Sequence, residues 1–359
     1  MKKIGIVVCG VQFGKFYIEA CKRSQEIELK GILSRGSKES CEIAKQYKVP
    51  LYTSAEDISS DTADIVLAAT RTLITGGRSS SMVKKLLEKG ISVIQEQPVH
   101  EKEAADISKN LIDDKKQGYC INNFYRFLPS VQQFLFYVSK VINEHRILRF
   151  HLSCSSQVLY PLIDVLYEML GGIAEFNVNK ILDGNMNVLA GTINNIPFIL
   201  NYYNEYSEDN DGSLALFFDI KIDTDAGNLI LNDPEGKVIW QSHLSYQRGA
   251  DFSSEKFKNL QPLECLFDGN VKSYEQRYTE VWPKAMEESI KDFYKKTLAG
   301  NAKEVSERTL GQCKICSDIA DVSGKPRKIE GSYLSGISMQ KFSDASRDLF
   351  LLYSKGDIL

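Results

Sequence analysis

Short apolar runs punctuate the first third of the chain, at residues 4–9, 29–33, 64–69, 91–95 and 119–122. They read as strands covered on both faces, where little polar alternation is needed. Between them, residues 13–23, 37–47, 79–89 and 101–116 read as helices. Strands alternating with helices predict βαβ units and a parallel sheet.

After about residue 145 the pattern changes. "RILRFHLSC", "NVLAGTI", "PFILNYYNEY", "SLALFFDIKID", "NLILND" and "KVIWQSHL" are strand-like, and several alternate polar with apolar positions. "DAGN" and "DPEG" punctuate them as tight turns, the signature of an antiparallel meander. Residues 157–170 form one helical run, and "WPKAMEESIKDFYKKTLAG" forms a late helix with Gly300 near its end. The fold class is therefore α/β. A Rossmann doubly wound parallel sheet over residues 1–125 precedes an α+β domain over residues 126–359 with an open, mostly antiparallel sheet. The carboxyl-terminal segment has room to pack back on the first domain.

Composition narrows the functional classes. The chain has 359 residues, 43% hydrophobic and 25% charged, with a net charge of -3. That balance gives no general reason to bind nucleic acid or an anionic membrane. The eight cysteines are dispersed, which fits reduced thiols in a cytoplasmic protein. The apolar run after the first lysines covers only residues 4–8, shorter than the ~7–15 residues of a signal core.

The first strand-to-helix turn reads "VVCGVQFGKFY". Gly10 and Gly14 would let backbone amides approach a pyrophosphate, with Gln12 and Phe13 between them. Gln12 stands where a full G-x-G-x-x-G motif has its second glycine, so the turn alone is a weak signal. The end of the second strand says more. A site for NAD usually places an acid there for the ribose hydroxyls. Here "ILSRGSKES" offers Ser34, Arg35 and Ser37. Arginine pairs with a 2′-phosphate, so NADPH is the expected cofactor. Ser37 also suits the N-cap of the next helix.

The fourth run ends in "EQPVH". An acid, an amide, a proline and a histidine fit a strand's carboxyl end facing a cleft, near the nicotinamide of a doubly wound sheet. With the nucleotide domain and the antiparallel second domain, this tripeptide resembles the Gfo/Idh/MocA oxidoreductases over essentially the whole chain. Their tripeptide is typically Glu-Lys-Pro, and Gln97 replaces the catalytic lysine. Their sugar dehydrogenases also carry Asp-x-x-x-His-x-x-Asp on a helix ending in Leu-Gly. Anchored on Gly171, those positions hold Gln157, Pro161 and Asp164. The usual apparatus for deprotonating an alcohol is missing.

A narrower resemblance fits these losses. "FGKFY", "GILSRGS", "VPLYTS", "TRTLITGG", "VIQEQPVH", "NNFY" and "SSQVLYPLIDVL" are similar to thiazolinyl imine reductases of siderophore assembly lines. The resemblance implies NADPH-dependent reduction of a thiazoline C=N to a thiazolidine, on a substrate held by a nonribosomal peptide synthetase carrier domain. It also implies that Arg71, Thr72, Glu96, Gln97 and Pro98 contact the cofactor and that a homodimer forms through the sheet domain. His100 and Tyr125 both line the implied site. Imine reduction needs a proton for nitrogen, and imidazoles titrate near ~6.5. A tyrosine is a weaker acid but can donate a positioned hydrogen bond. The residues leave the choice between them open. They also leave open reduction of another imine or carbonyl, and a catalytically silent NADP-binding regulator.

Other features carry blander readings. Cys313 and Cys316 lack a second ligand pair, so zinc is not expected. His145, His151 and His243 read as structural or exposed, and "KPRK", residues 325–328, as a solvated loop.

Overall fold

The computed structural model describes residues 2–70, 78–109, 111, 117–184, 186–206, 215–243, 251, 253–255, 261–269, 271 and 273–330. The amino-terminal part runs β1 (Ile4–Cys9), α1 (Gly14–Arg23), β2 (Ile27–Leu33), α2 (Lys38–Tyr47), β3 (Leu51–Tyr52), β4 (Ile65–Ala68), α3 (Arg78–Glu88), β5 (Ser92–Gln95), α4 (Glu101–Ser108) and β6 (Tyr119–Ile121). The strands form one parallel sheet in the order β3-β2-β1-β4-β5-β6. Ile6 and Val8 of β1 enter one core, whereas Val7 and Cys9 enter the other. This two-sided burial explains the unbroken apolar runs. The order reverses beside β1, so the loops after β1 and β4 diverge and open a crevice at the strands' carboxyl ends. The two-residue β3, paired with Ile32 and Leu33, is too short to leave a periodic signal. Helix α4 ends at Ser108, short of the expected residue 116. Residues 110 and 112–116 lie outside the described part.

The second part continues with α5 (Pro129–Glu144), β7 (Ile147–Ser155), α6 (Leu159–Leu170), β8 (Phe176–Leu182), β9 (Asn187–Ile193), β10 (Ile196–Tyr203) and β11 (Glu205–Tyr206). Then come β12 (Phe218–Thr224), β13 (Gly227–Leu231), β14 (Val238–Ser242), β15 (Leu263–Phe267), α7 (Trp282–Leu298), α8 (Ala302–Ser323) and β16 (Arg327–Lys328). Eight strands build an open sheet in the order β15-β14-β13-β12-β7-β10-β9-β8. All neighbours are antiparallel except β7 and β10, which run parallel. Instead of a solvated loop, Arg327 and Lys328 form a short parallel pairing with Glu205 and Tyr206.

The last two long helices return to the first sheet. Ser24 at the end of α1 donates to Glu287 of α7 at 2.8 Å, and Lys291 reaches Glu26 at 3.0 Å. Farther on, Ser306 of α8 bonds Ser108 of α4 at 3.0 Å. No helix among the described residues is long and apolar enough to cross a membrane.

A buried ionic knot joins the two sheets. Asp164 of α6 is 0% exposed and Arg126, just past β6, is 6% exposed. Asp164 Oδ1 accepts from Asn123 at 3.1 Å, Gln312 at 2.7 Å and Arg308 at 2.9 Å. Arg126 lies 3.7 Å from Asp164 Oδ2 and donates to Glu168 at 2.7 Å and Asp292 at 3.1 Å. Burial works against ionisation of Glu168, yet the charges of Arg126 and Arg308 overcome it and hold this carboxyl below its ordinary value. Removing one partner of such a buried set leaves desolvated charge behind, at about 3–5 kcal/mol. Asp164→Ala is expected to lose stability in that range. Glu168→Ala should lose less, because that side chain is 39% exposed. Urea midpoints of the two variants measure the difference, and an equal or smaller loss at Asp164 would contradict the expectation.

Candidate active site

The crevice begins at the turn after β1. Gly10 adopts φ +83°, and a Cβ there would lie 2.7 Å from the carbonyl oxygen of Ala69. Only glycine fits that conformation and that contact without strain. Gly14 opens α1 against β1, where a Cβ would meet Val8 Cγ1 at 2.9 Å. Gln12 is exposed between them and Phe13 is half-buried. The first turn of α1 holds no acidic side chain, so nothing there opposes an anion at its amides.

The second turn holds Ser34, Arg35 and Ser37. The Ser34 hydroxyl donates to Ser40 at 2.6 Å and accepts from the Gly36 amide at 3.1 Å. Ser37 caps α2, accepting from the Ser40 amide at 3.2 Å while its hydroxyl meets Ser40 Oγ at 3.0 Å. The serines are therefore bonded mainly to one another. Arg35 is exposed and has no ion-pair partner among the described residues. Arg71 and Thr72, expected to contact the cofactor, lie outside the described part.

Glu96, Gln97 and Pro98 follow β5 directly, and the Gln97–Pro98 peptide is cis. The Glu96 amide bonds the Ala68 carbonyl at 2.9 Å, which extends the sheet by one step and turns the side chain out at the strand end. Glu96 Oε2 accepts from the Tyr17 hydroxyl at 2.6 Å and the Asn122 amide group at 3.0 Å. Burial pushes this carboxyl up to about 7, although both hydrogen bonds favour the charged form.

His100 and Tyr125 stand in different settings. His100 is exposed and caps α4, its Nδ1 accepting from the Lys102 amide at 3.2 Å. Nε2 is then the nitrogen that carries the proton in the neutral ring. Tyr125 is buried in the short helical turn Phe124–Phe127. Burial, then the negative charges of Glu96 and Glu235, push its hydroxyl far above the ordinary tyrosine value.

An aromatic wall rises beside Tyr125. The Trp282 ring meets Phe124 at 5.1 Å, Tyr278 at 5.1 Å, Tyr125 at 6.0 Å and Phe217 at 6.4 Å between centroids. Glu235 fixes the wall, accepting from the Trp282 indole at 2.7 Å and from Arg277 Nε at 2.7 Å. The Arg277 guanidinium packs on Tyr274 at 4.8 Å and Phe217 at 5.2 Å. Phe217, Glu235 and the cluster at residues 274–282 carry no local sequence signature, because only the fold brings these three segments together. Tyr17 and Asn122, by contrast, sit inside the quoted segments "FGKFY" and "NNFY".

The helix that would carry an Asp-x-x-x-His-x-x-Asp set does other work here. Gln157 bonds the Glu205 carbonyl at 3.3 Å, Pro161 is buried, and Asp164 belongs to the ionic knot. The geometry thus sets a crevice at the carboxyl ends of the parallel strands beside a carboxyl raised to about 7 and an aromatic wall.

Residues 4–122 match the model of the oxidoreductase family with NAD-binding Rossmann fold, GFO_IDH_MocA. An oxidoreductase from Agrobacterium radiobacter, in complex with NAD+, L-tartaric acid and magnesium, has a similar fold over 90% of this chain and 96% of its own, with TM-score 0.65 and 11% identity. KijD10, a 3-ketoreductase from Actinomadura kijaniata in complex with TDP-benzene and NADP, is similar over 91% and 100%, with TM-score 0.62 and 13% identity. Levoglucosan dehydrogenase, in complex with NADH and levoglucosan, is similar over 90% and 97%, with TM-score 0.64 and 14% identity. No curated protein matches the chain.

The raised carboxyl has a thermodynamic signature. The folded protein keeps the Glu96 proton up to about pH 7, whereas an unfolded chain releases it near the ordinary 4.5. The folded state binds more protons between those values, so stability falls as pH rises through that window and levels off above it. At ~1.36 kcal/mol per pH unit the loss relative to Glu96→Gln is about 3 kcal/mol. Denaturation of both proteins from pH 4.5 to 8 should show the gap, and parallel curves would refute it.

Proposed function

We propose that the protein reduces the C=N bond of a thiazoline to a thiazolidine with NADPH, on a substrate presented by a nonribosomal peptide synthetase carrier domain in siderophore assembly. The observation that carries this reading is that the positions of the alcohol-deprotonating set hold other residues or are otherwise engaged. Gln97 stands in place of a lysine, Pro161 in place of a histidine, and Asp164 is tied to Arg308 and Gln312. Among those positions no group is placed to take a proton from an alcohol. Glu96 and Tyr125 instead are groups that can hold or donate one. Reduction of an imine asks for that arrangement, with a hydride entering carbon and a proton entering nitrogen.

NADPH supplies the hydride when bound. Gly10, Gln12, Phe13 and Gly14 would border its pyrophosphate, and Ser34, Arg35 and Ser37 its 2′-phosphate. The end of β5 would lie beside the nicotinamide. Both NAD+ and NADP occur on this fold in the similar structures, so the second turn decides the choice. With the serines bonded to one another, Arg35 is the group free to pair with a phosphate. The apolar faces of Trp282, Phe217 and Tyr125 would exclude water from a flat heterocycle.

A second copy would pair on the outer face of the eight-stranded sheet. The register puts Leu263, Gln241, Asn228 and Asp223 in one row, and Cys265, Ile239, Ile230, Lys221, His151 and Ile199 in the next. Leu263 and Ile199 are 57% and 37% exposed there. Ile199→Arg should shift the mass measured by light scattering toward the monomer, and an unchanged mass counts against this face.

The reaction is tested by NADPH oxidation with a small thiazoline ester. Wild type should bind NADPH more tightly than NADH, and Arg35→Asp should erase or invert the preference. Equal affinity for the two cofactors would defeat the cofactor assignment. Robust inositol or glucose dehydrogenation would overturn the reaction.

A further inference from the structure

Glu96 sits in surroundings that do not suit a carboxylate. Its side chain lies between α1 and the end of β6, and its hydrogen-bond donors Tyr17 and Asn122 are 2% and 3% exposed. No lysine, arginine or histidine pairs with it among the described residues. Gln97, the next residue, is neutral where the resembling sugar dehydrogenases place a lysine. Among the described residues, the other titratable groups around it bring no free positive charge. Cys120 lies on β6 and Tyr125 on the following turn. Beyond Tyr125 stand Tyr278 and Arg277, and Arg277 is paired with Glu235. A carboxyl desolvated without a counter-cation keeps its proton.

We propose that Glu96 holds the proton that the reduction delivers to the substrate nitrogen, an assignment that rests on the imine-reductase reading. In that step a hydride forms the new C–H bond at carbon and the C=N π electrons become the lone pair of nitrogen. The Glu96 O–H bond breaks, its proton forms the N–H bond, and the carboxylate regains a proton from solvent. Tyr17 and Asn122 donate to the oxygen on which charge appears, so they favour departure of the proton. The Tyr125 hydroxyl, whose ionisation is opposed by burial and by Glu96, can only pass on a proton that it regains at once. His100 is exposed, with one ring nitrogen committed to the α4 cap. A proton store that changes state near neutrality is matched to its task, and burial places Glu96 at about 7.

The test has a reading that needs no turnover. Infrared difference titration of the NADPH complex, with Glu96→Gln for assignment, should show a carboxyl titrating within about a unit of pH 7. Tyr17→Phe removes a donor to the charged form and should move that titration upward. In single turnover with a thiazoline ester, the wild-type rate should fall about tenfold per pH unit above the same midpoint. At saturating NADPH, Glu96→Gln should lose about 10²–10⁴-fold in rate and lose the break. A carboxyl titrating below pH 5 overturns the assignment, as does a Glu96→Gln enzyme with an unshifted break. If Glu96→Gln does not fold, the Tyr17→Phe shift decides, because a rate break that fails to follow the carboxyl also overturns it. A wild type that reduces no thiazoline sinks the imine-reductase reading and the assignment built on it. A midpoint near 7 in that protein would mark the substrate reading, rather than the carboxyl's protonation, as the failure.

Discussion

Desolvated charge at the junction of the two sheets is the constraint from which the site geometry follows. Arg126 and Asp164 are both out of water, and neither is tolerable there without the other's neighbours. Satisfying them draws Asn123 and Arg126 from the end of the first sheet, Asp164 and Glu168 from α6, Asp292 from α7 and Arg308 and Gln312 from α8 into one place. Tyr125 lies between two residues of that knot, so its ring is held by the same bonds that join the sheets. A site residue that sits on a turn is thereby given the fixity of a core residue.

Removing a cation next to a half-buried acid changes what the acid can do. Where a lysine follows Glu96 in the resembling dehydrogenases, an ionised pair is available to the site. Here the amide of Gln97 offers no charge, and the carboxyl sits nearer the point where it gains and loses a proton. The aromatic wall deepens the effect, since rings replace water around the cleft without supplying charge.

Much of this was legible from the chain. Apolar runs located β1, β2, β4, β5 and β6 to within about two residues, because two-sided burial leaves no doubt about period. Elements with weak patterning escaped. β8 mixes asparagine with apolar residues on a mostly exposed edge, and β15 is similarly exposed. Helix α5 keeps its buried stripe at Val131, Phe134 and Val138 but exposes Phe136, which blurs the amphipathic signal. Within the candidate site, the glycine turn after β1 and the strand end with Glu96 could be read locally. The partners Glu235, Arg277 and Trp282 could not, because only the tertiary fold brings them to Tyr125.

The return of α7 and α8 to the first sheet also bears on how the molecule is made. Chains emerge from the ribosome amino terminus first, and domains generally fold as they appear. Here part of the covering of the first sheet is encoded last. Ser24 and Glu26 near α1 wait for Glu287 and Lys291, and Gly118, beside β6, waits for the Phe293 ring that a Cβ there would meet at 3.1 Å. The nascent nucleotide domain must therefore hold an uncovered apolar flank through the synthesis of the whole antiparallel sheet. That interval is where a chaperone would have its longest purchase on this chain.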